Sequence, residues 1–354
     1  MLTLFRKLKL EHFRAAKLQL RANGIDKNFH RNLNRLDRPK PIMPFKYFKF
    51  NKFYSNYSMV ETTTKKETAK FDNVLQNVVH GKVVTRFPPE PSGYLHIGHI
   101  KAAMLNYHYS KMYEGKMILR FDDTNPSKEK EEYVENIIAD LKTLEIYPDQ
   151  VTHTSDYFDF LQETMETLIK KGKCYCDNTP VDQMRDERKN GVKSKHRDNS
   201  VEENLLIWNQ MKDPNQIDEL IKEYCVRGKI DYQNNNKCLR DPVFFRFSDE
   251  PHHRLGTKYK IYPTYDFACP IVDHIEGVTH MLRTNEYSDR IPMYRWVESV
   301  CELGELEIFE FSRLNLIHTV LSKRNLKWFV DTNRVSGWND PRFPTVQVNI
   351  IYLY

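Results

Sequence analysis

From about Lys82 onward, apolar positions follow one rhythm. Lys82-Val83-Val84-Thr85-Arg86-Phe87 is a short run rich in β-branched residues and reads as a buried strand. After a proline-rich loop, Ile100, Ala103, Met104 and Tyr107 recur at helical spacing. Met117-Ile118-Leu119-Arg120-Phe121 predicts a second strand, and Val134, Ile137, Ile138, Leu141 and Leu144 line one face of the next helix. Val151 onward and the stretch from Phe158 to Ile169 repeat the alternation. Strands separated by crossover helices imply an α/β fold with a parallel sheet and covering helices.

Between roughly Gly172 and Tyr262 the rhythm breaks into charged, Asn-rich sequence with one helical patch near Glu202 to Met211. It resumes in the apolar run from Tyr265 to Ile271. An inserted domain explains the interruption. The expected organisation is a basic, disordered extension over 1–75, a first half of the main domain over 76–172, an insertion over 173–262, a second half over 263–345 and an atypical end over 346–354. No internal repeat is visible.

Composition adds that a chain of 354 residues, 40% hydrophobic and 29% charged, can bury one or two sizeable cores. No apolar run has the length of a membrane-spanning helix, so no membrane partner is expected. Six cysteines without a secretory signal read as reduced thiols. The net charge of +6 is lopsided: residues 1–60 hold 14 Lys+Arg against 3 Asp+Glu, which leaves 40 against 45 for the rest. A nucleic acid bound by the body must therefore meet a local basic surface. The basic N-terminal stretch, with Leu4, Leu8, Phe13 and Leu18 among its cations, admits an organelle-targeting peptide, a basic tail that touches RNA, or an upstream extension ahead of a start at Met59.

The candidate chemistry sits in the loop Pro88-Pro89-Glu90-Pro91-Ser92-Gly93-Tyr94-Leu95-His96-Ile97-Gly98-His99, which leads directly into the first helix. A helix start offers backbone N–H groups and a positive dipole end to an anion, Gly98 lets a ligand approach, and two imidazoles donate to phosphate oxygens. Two histidines at such a position are also ordinary caps or core residues. The context adds a strand before, a helix after, and a downstream loop Val320-Leu321-Ser322-Lys323-Arg324 carrying a lysine and an arginine.

Together these pieces resemble the HIGH and KMSKS signatures of class I aminoacyl-tRNA synthetases, over about residues 82–345. The resemblance covers Thr85 to Gly98, Arg120 to Pro126, Ser155-Asp156-Tyr157, Tyr262 to Asp266 and Ser312 to Asn315. It is similar to the archaeal and eukaryotic glutamyl/glutaminyl branch, and implies a Rossmann-like doubly wound catalytic domain with an inserted acceptor-end-binding domain. It implies ATP contacts from Glu90, Pro91, Ser92, His96, Gly98, His99, Lys101, Thr284, Arg313, Leu314, Leu321, Ser322 and Lys323. His96, His99 and Lys323 would be the catalytic group, with Lys323 steadying the pyrophosphate. Asp122 and Tyr265 would receive the amino acid's α-ammonium end, a sound charge-assisted pairing for Asp122. Without the resemblance, Asp122-Asp123 reads as a strand-end or capping pair.

The amino acid is decided by residues facing its side chain. Gly277-Val278-Thr279-His280-Met281-Leu282-Arg283-Thr284 looks like the glutamyl version; a guanidinium fits a γ-carboxylate, and Arg86 is a candidate second contact. An unpaired arginine would also penalise glutamine. The plain alternative for Arg283 is an ion pair with Glu286 or Asp289. ATP with Mg²⁺, glutamate and tRNA(Glu) are the implied ligands, with no dedicated protein metal site. Other synthetases, as in a multi-synthetase complex, are a further partner the resemblance admits.

Weaker signals are Cys174-x-Cys176, which is half a zinc site that Cys225 and Cys238 do not complete in a familiar spacing, and the Lys193 to Arg197 cluster, which reads as a phosphate contact or a solvated face. The resemblance implies a continuation past Asp340-Pro341-Arg342-Phe343-Pro344-Thr345 into anticodon-reading domains, whereas the sequence here ends in Val-Asn-Ile-Ile-Tyr-Leu-Tyr, which does not match that continuation. The readings carried forward are glutamate–tRNA ligase, the glutaminyl counterpart, a non-catalytic RNA-binding module and a tRNA-modifying paralogue. The signatures point to the cytoplasm and the basic extension to an organelle.

Overall fold

The computed structural model describes residues 75–314, 320, 322–338, 340 and 342–346, all within one compact unit, Phe71–Tyr354. The basic extension, Asn315, Leu321 and the end beyond Val346 lie outside the described residues.

Three parallel strands open the fold. β1 (Val84–Phe87) pairs with β2 (Lys116–Phe121), and β2 with β3 (Gln150–His153). The crossovers are α1 (Ile97–Met112) and α2 (Glu131–Thr143), followed after β3 by α3 (Phe158–Lys170). β1 and β2 are buried over nearly their whole length, as expected of a parallel sheet covered on both faces. Gly115 allows the tight approach of α1 to the sheet, since a Cβ there would lie 2.0 Å from the Val83 carbonyl oxygen. The helix predicted from Val134 to Leu144 ends at Thr143, and Ile138, expected on its inner face, is exposed. The wider apolar stripe does not all reach the core formed by Val134, Ile137 and Leu141.

The second half supplies α7 (Tyr265–Ile275), β8 (His280–Thr284), α8 (Ile291–Val300) and β9 (Glu307–Phe311); β8 and β9 are parallel. The Thr279 N–H donates to the Val84 carbonyl at 3.0 Å, and Arg86 Nη1 on β1 donates to the Leu282 carbonyl on β8 at 3.2 Å. β8 therefore runs beside β1, and the strands lie in the order β3, β2, β1, β8, β9. The chain reverses its direction of travel between β1 and β8, the switch point where open α/β sheets bind ligands at the carboxyl ends of their strands.

Between the halves lies an antiparallel sheet of β4 (Cys174–Asp177), β5 (Cys225–Gly228), β6 (Val243–Phe247) and β7 (Ile261–Pro263). α4 (Val181–Asn190), α5 (Val201–Lys212) and the single-turn α6 (Glu219–Lys222) accompany it. One apolar core runs from α3 through this sheet to α7 and α8, including Trp208, Phe244, Phe245, Phe267 and Val297. The intervening sheet thus shares its core with the helices of the main domain. Cys174, Cys176 and Cys225 are buried free thiols here; Cys176 donates to the Asn204 carbonyl and Cys225 to the Asp177 carbonyl, each at 3.4 Å. They behave as small core residues.

Candidate functional site

The proline loop leaves the carboxyl end of β1 and enters α1 through a cap built from two histidines. His96 Nδ1 accepts from the Gly98 N–H at 3.1 Å, and His99 Nδ1 accepts from the His96 N–H at 3.2 Å. The rings stack with centroids 3.8 Å apart. Accepting at Nδ1 places the proton of each neutral ring on Nε2, so both imidazoles carry an Nε2–H donor. The helix start differs from expectation in one respect. Its first N–H groups are already used: Ile97 N donates to the Pro344 carbonyl, Gly98 N to His96, and His99 N to the His96 carbonyl. An anion is left with imidazole donors and the helix dipole rather than free backbone N–H groups. Gly98 has a second purpose as well, because a Cβ there would meet His96 Cε1 at 2.9 Å.

Lys101, one turn into α1, donates through Nζ to the carbonyl and hydroxyl of Ser312, just beyond β9. That link brings α1 to the segment bearing Arg313 and Leu314, and Arg313 pairs with Glu286 just after β8 at 2.9 Å. Thr284, Arg313 and the histidine turn thus lie at the carboxyl ends of β8, β9 and β1, around the switch point. Glu90 is exposed and Pro91 buried, and the Glu90 carbonyl accepts from the Ser92 N–H at 2.8 Å. Ser322 stands at the N-cap position of α9 (Lys323–Asp331) without a side-chain capping hydrogen bond. Leu321 falls outside the described residues.

Asp122 follows directly on β2. Its N–H donates to the Pro89 carbonyl at 3.0 Å, tying it to the histidine loop, and Thr124 Oγ1 donates to its carboxylate at 3.2 Å. Burial, and then the Asp123 charge, push the Asp122 carboxyl up to about 7. Nearby Glu129 is buried with Oε2 unpartnered, and burial pushes it up to about 9, so it is neutral at pH 7.

The amino-acid end has the sharpest contrast. Arg86 and Arg120 are both buried on the parallel sheet, and both pair with Asp273 of α7: Arg86 Nε at 3.0 Å and Arg120 Nη2 at 2.5 Å. Arg120 also pairs with Glu276 at 2.8 Å, and Tyr294 Oη donates to Asp273 at 2.9 Å. Although burial alone would raise it, Arg120 and Arg86 hold the Asp273 carboxyl down to about 2. Arg283, on β8, is 93% buried, with Nε and Nη1 unpartnered. Its guanidinium lies 4.9 Å from the Tyr287 ring and 5.9 Å from that of Tyr294. It lines a small pocket with Tyr265, Cys269, Met293, Tyr294 and the Asp266–Arg290 ion pair.

The structure thus brings Tyr265 and Arg283 together. Arg86 lies next to this pocket: its donors go to Asp273, Leu282 and Cys269, and Cys269 is also a lining residue. Arg283 makes no ion pair with Glu286 or Asp289; Glu286 belongs to Arg313. Asp273, which no motif in the sequence marks, follows Tyr265 at i+8 on one helix face, with Cys269 between them at i+4. In the Lys193–Arg197 cluster, Lys193 pairs with Asp198 and Arg197 with buried Asp241, each at 2.7 Å.

Residues 82–352 match the family model described as "tRNA synthetases class I (E and Q), catalytic domain". Among curated proteins, the chain is 55% identical over 286 residues to the cytoplasmic glutamate–tRNA ligase of Saccharomyces cerevisiae, covering 80% of this chain and 40% of that one. It is 55% identical over 267 residues to the cytoplasmic enzyme of Arabidopsis thaliana, covering 75% and 37%. It is 52% identical over 292 residues to the bifunctional glutamate/proline–tRNA ligase of Mus musculus, covering 82% and 19%. The chain therefore spans less than half the length of these relatives. A glutamate tRNA ligase from Elizabethkingia meningosepticum, solved with its amino acid, shares the fold at a TM-score of 0.50 and 22% identity, over 70% of this chain and 53% of that one.

Proposed function

The chain belongs to the class I tRNA synthetases (E and Q), which it matches over their catalytic domain, and on that footing we propose that it acts as a glutamate–tRNA ligase. The observation that carries the reading is Arg283: a buried guanidinium with two nitrogens that have no hydrogen-bond partner among the described residues, facing a small polar pocket. Leaving a charge in that state is costly, and a γ-carboxylate is the group that would repay it by charge-assisted hydrogen bonds. A carboxamide would leave the charge uncompensated, which favours glutamate over glutamine.

The reaction has two steps. An α-carboxylate oxygen of glutamate attacks the α-phosphorus of ATP, forming glutamyl-adenylate as the bond to pyrophosphate breaks. A hydroxyl of the terminal adenosine of tRNA(Glu) then attacks the acyl carbon, and AMP departs. Neither step demands a general base; positioning and cationic charge suffice. In this reading, Asp122 and Tyr265 hold the α-ammonium, Arg283 the side chain, and His96 and His99 the phosphates through Nε2–H. Lys323, at the start of α9, meets the departing pyrophosphate. Mg²⁺ would come with the nucleotide and neutralise phosphate charge. The histidine turn has only Glu90, an exposed carboxylate, to offer the ion, so the chain supplies donors to phosphate rather than a cage for the metal.

The antiparallel sheet and its helices are assigned to the tRNA acceptor end. Since the yeast and plant relatives are named cytoplasmic, the same compartment is proposed here. No helix among the described residues is long and apolar enough to cross a membrane. The mouse relative's two named activities make association with other synthetases a reasonable partner class.

The test is aminoacylation of total tRNA with labelled glutamate and, in parallel, labelled glutamine, with the wild type and Arg283→Ala. Glutamate charging that collapses in the variant supports the reading. Preferential glutamine charging replaces it with the glutaminyl one, and no charging of either replaces it with a non-catalytic RNA-binding role.

A further inference from the structure

We propose that residues 252–255, in the connection between β6 and β7 of the antiparallel sheet, form a clamp that sets Asp122 in place, with Asp123 and His252 as its positioning residues. The inference rests on the reading that Asp122 receives the α-ammonium of glutamate.

Asp123 is fully buried, and its carboxylate is occupied by the neighbouring strand end: it accepts from Ser155 N at 2.8 Å and from Ser155 Oγ at 2.6 Å. Its carbonyl oxygen lies 2.8 Å from His252 Nε2. The direction of that bond is fixed, because His252 Nδ1 accepts from the Arg254 and Leu255 N–H groups at 3.1 and 3.3 Å, which leaves the proton on Nε2. The ring is 98% buried, edge-on to Phe158 and stacked over Tyr262 at centroid distances of 5.8 and 6.1 Å. Arg254 Nη1 completes the grip by donating to Ser155 Oγ at 2.7 Å and to Asp156 at 2.9 Å.

A metal centre is the competing account, since Asp123, His252 and His253 bring ligand atoms within 4.8 Å of one another. Two contacts oppose it. His252 Nε2 carries its proton toward a carbonyl, and the Arg254 guanidinium lies 3.7 Å from the same Asp123 carboxylate. A hydrogen-bonded clamp satisfies these groups and a cation would not. Asp122 is then fixed from both flanks, by Pro89 of the histidine loop and by the antiparallel sheet through Asp123. A shift of that sheet reaches Asp122 through this connection.

The experiment compares wild type, His252→Phe, which keeps a ring without a donor, and His252→Gln, which keeps a donor. Glutamate and ATP KM values are measured in tRNA charging, with amide hydrogen exchange over residues 121–125 as a readout independent of activity. In His252→Phe the glutamate KM should rise about tenfold with the ATP KM within about twofold, exchange should quicken, and His252→Gln should recover most of both. An unchanged glutamate KM, or equal rises in both KM values, overturns the proposal. Should wild type charge no glutamate, the reading of Asp122 fails, and exchange then decides the clamp: rates equal in all three proteins overturn it.

Discussion

Three buried arginines lie on neighbouring strands of one sheet, and the fold treats them in two ways. Arg86 and Arg120 share Asp273, Arg120 adds Glu276, and two positive and two negative charges cancel in the interior. Arg283 makes no ion pair among the described residues and faces a pocket between two tyrosine rings. Burial penalises all three guanidinium groups alike, so the difference lies in who provides the counter-charge. For the first pair it is the protein itself, and the result is structure. For Arg283 no described residue provides it, and in the proposed reading a ligand does. Asp273 takes part in both, because by engaging its two neighbours and Tyr294 it leaves Arg283 the uncompensated charge of the pocket.

The largest way to break this contrast is Asp273→Asn, which strands the buried Arg86 guanidinium and leaves Arg120 with Glu276 alone. Unfolding free energy should fall by about 3–5 kcal/mol, read by chemical denaturation. A loss below about 1 kcal/mol would mean that the pair is not held by Asp273.

Arg283→Ala should behave in the opposite way. Removing an unpaired buried charge should leave stability unchanged or higher, while kcat/KM for glutamate falls by about 100-fold, equivalent to about 3 kcal/mol. If stability fell as far as activity, Arg283 would belong with the structural pair and the proposed specificity would lose its basis.

A smaller probe sits at the joint between the two regions. Tyr294→Phe keeps the ring beside Arg283 and removes the hydroxyl that donates to Asp273. A loss of about 1 kcal/mol in stability is expected, with glutamate KM rising by only a few-fold. A full loss of charging would show that Tyr294 touches the substrate rather than supporting Arg283.

These regions were unequally legible in the sequence. The strands and helices of the first half follow from period and composition, because β1, β2, α1 and α2 each bury one continuous pattern. The histidine turn and Arg283 could be singled out by chemistry in a local context. The Arg86–Asp273 pair could not, since its members are 187 residues apart and nothing local marks an aspartate on an apolar helix as the partner of two strand arginines. For the same reason, the sequence marks Arg86 as a candidate ligand contact but gives no sign of its ion pair with Asp273. The capping role of His96, which consumes the N–H of Gly98, likewise depends on side-chain direction that spacing alone does not carry.

The smallest expected effect is one of pH, and there the paired and the ligand-facing acids should differ in sign. Asp273 is held down to about 2 in the folded protein, against an unfolded value of about 3.9. Its stabilising contribution is present above about pH 4 and is lost as pH falls toward 2. Asp122 is pushed up to about 7, chiefly by burial and then by Asp123. Its contribution is present below about pH 4 and is lost as pH rises through 7, because the folded state must then hold a poorly solvated carboxylate. The thermal midpoint of Asp122→Asn should therefore lose the decline between about pH 4 and 7 while keeping the acid limb set by Asp273. Saturating glutamate should flatten the same decline in the wild type, since an ammonium opposite Asp122 favours its ionised form. An unchanged slope in both experiments would remove Asp122 from the amino-acid end of the site and leave Arg283 as its sole charged contact.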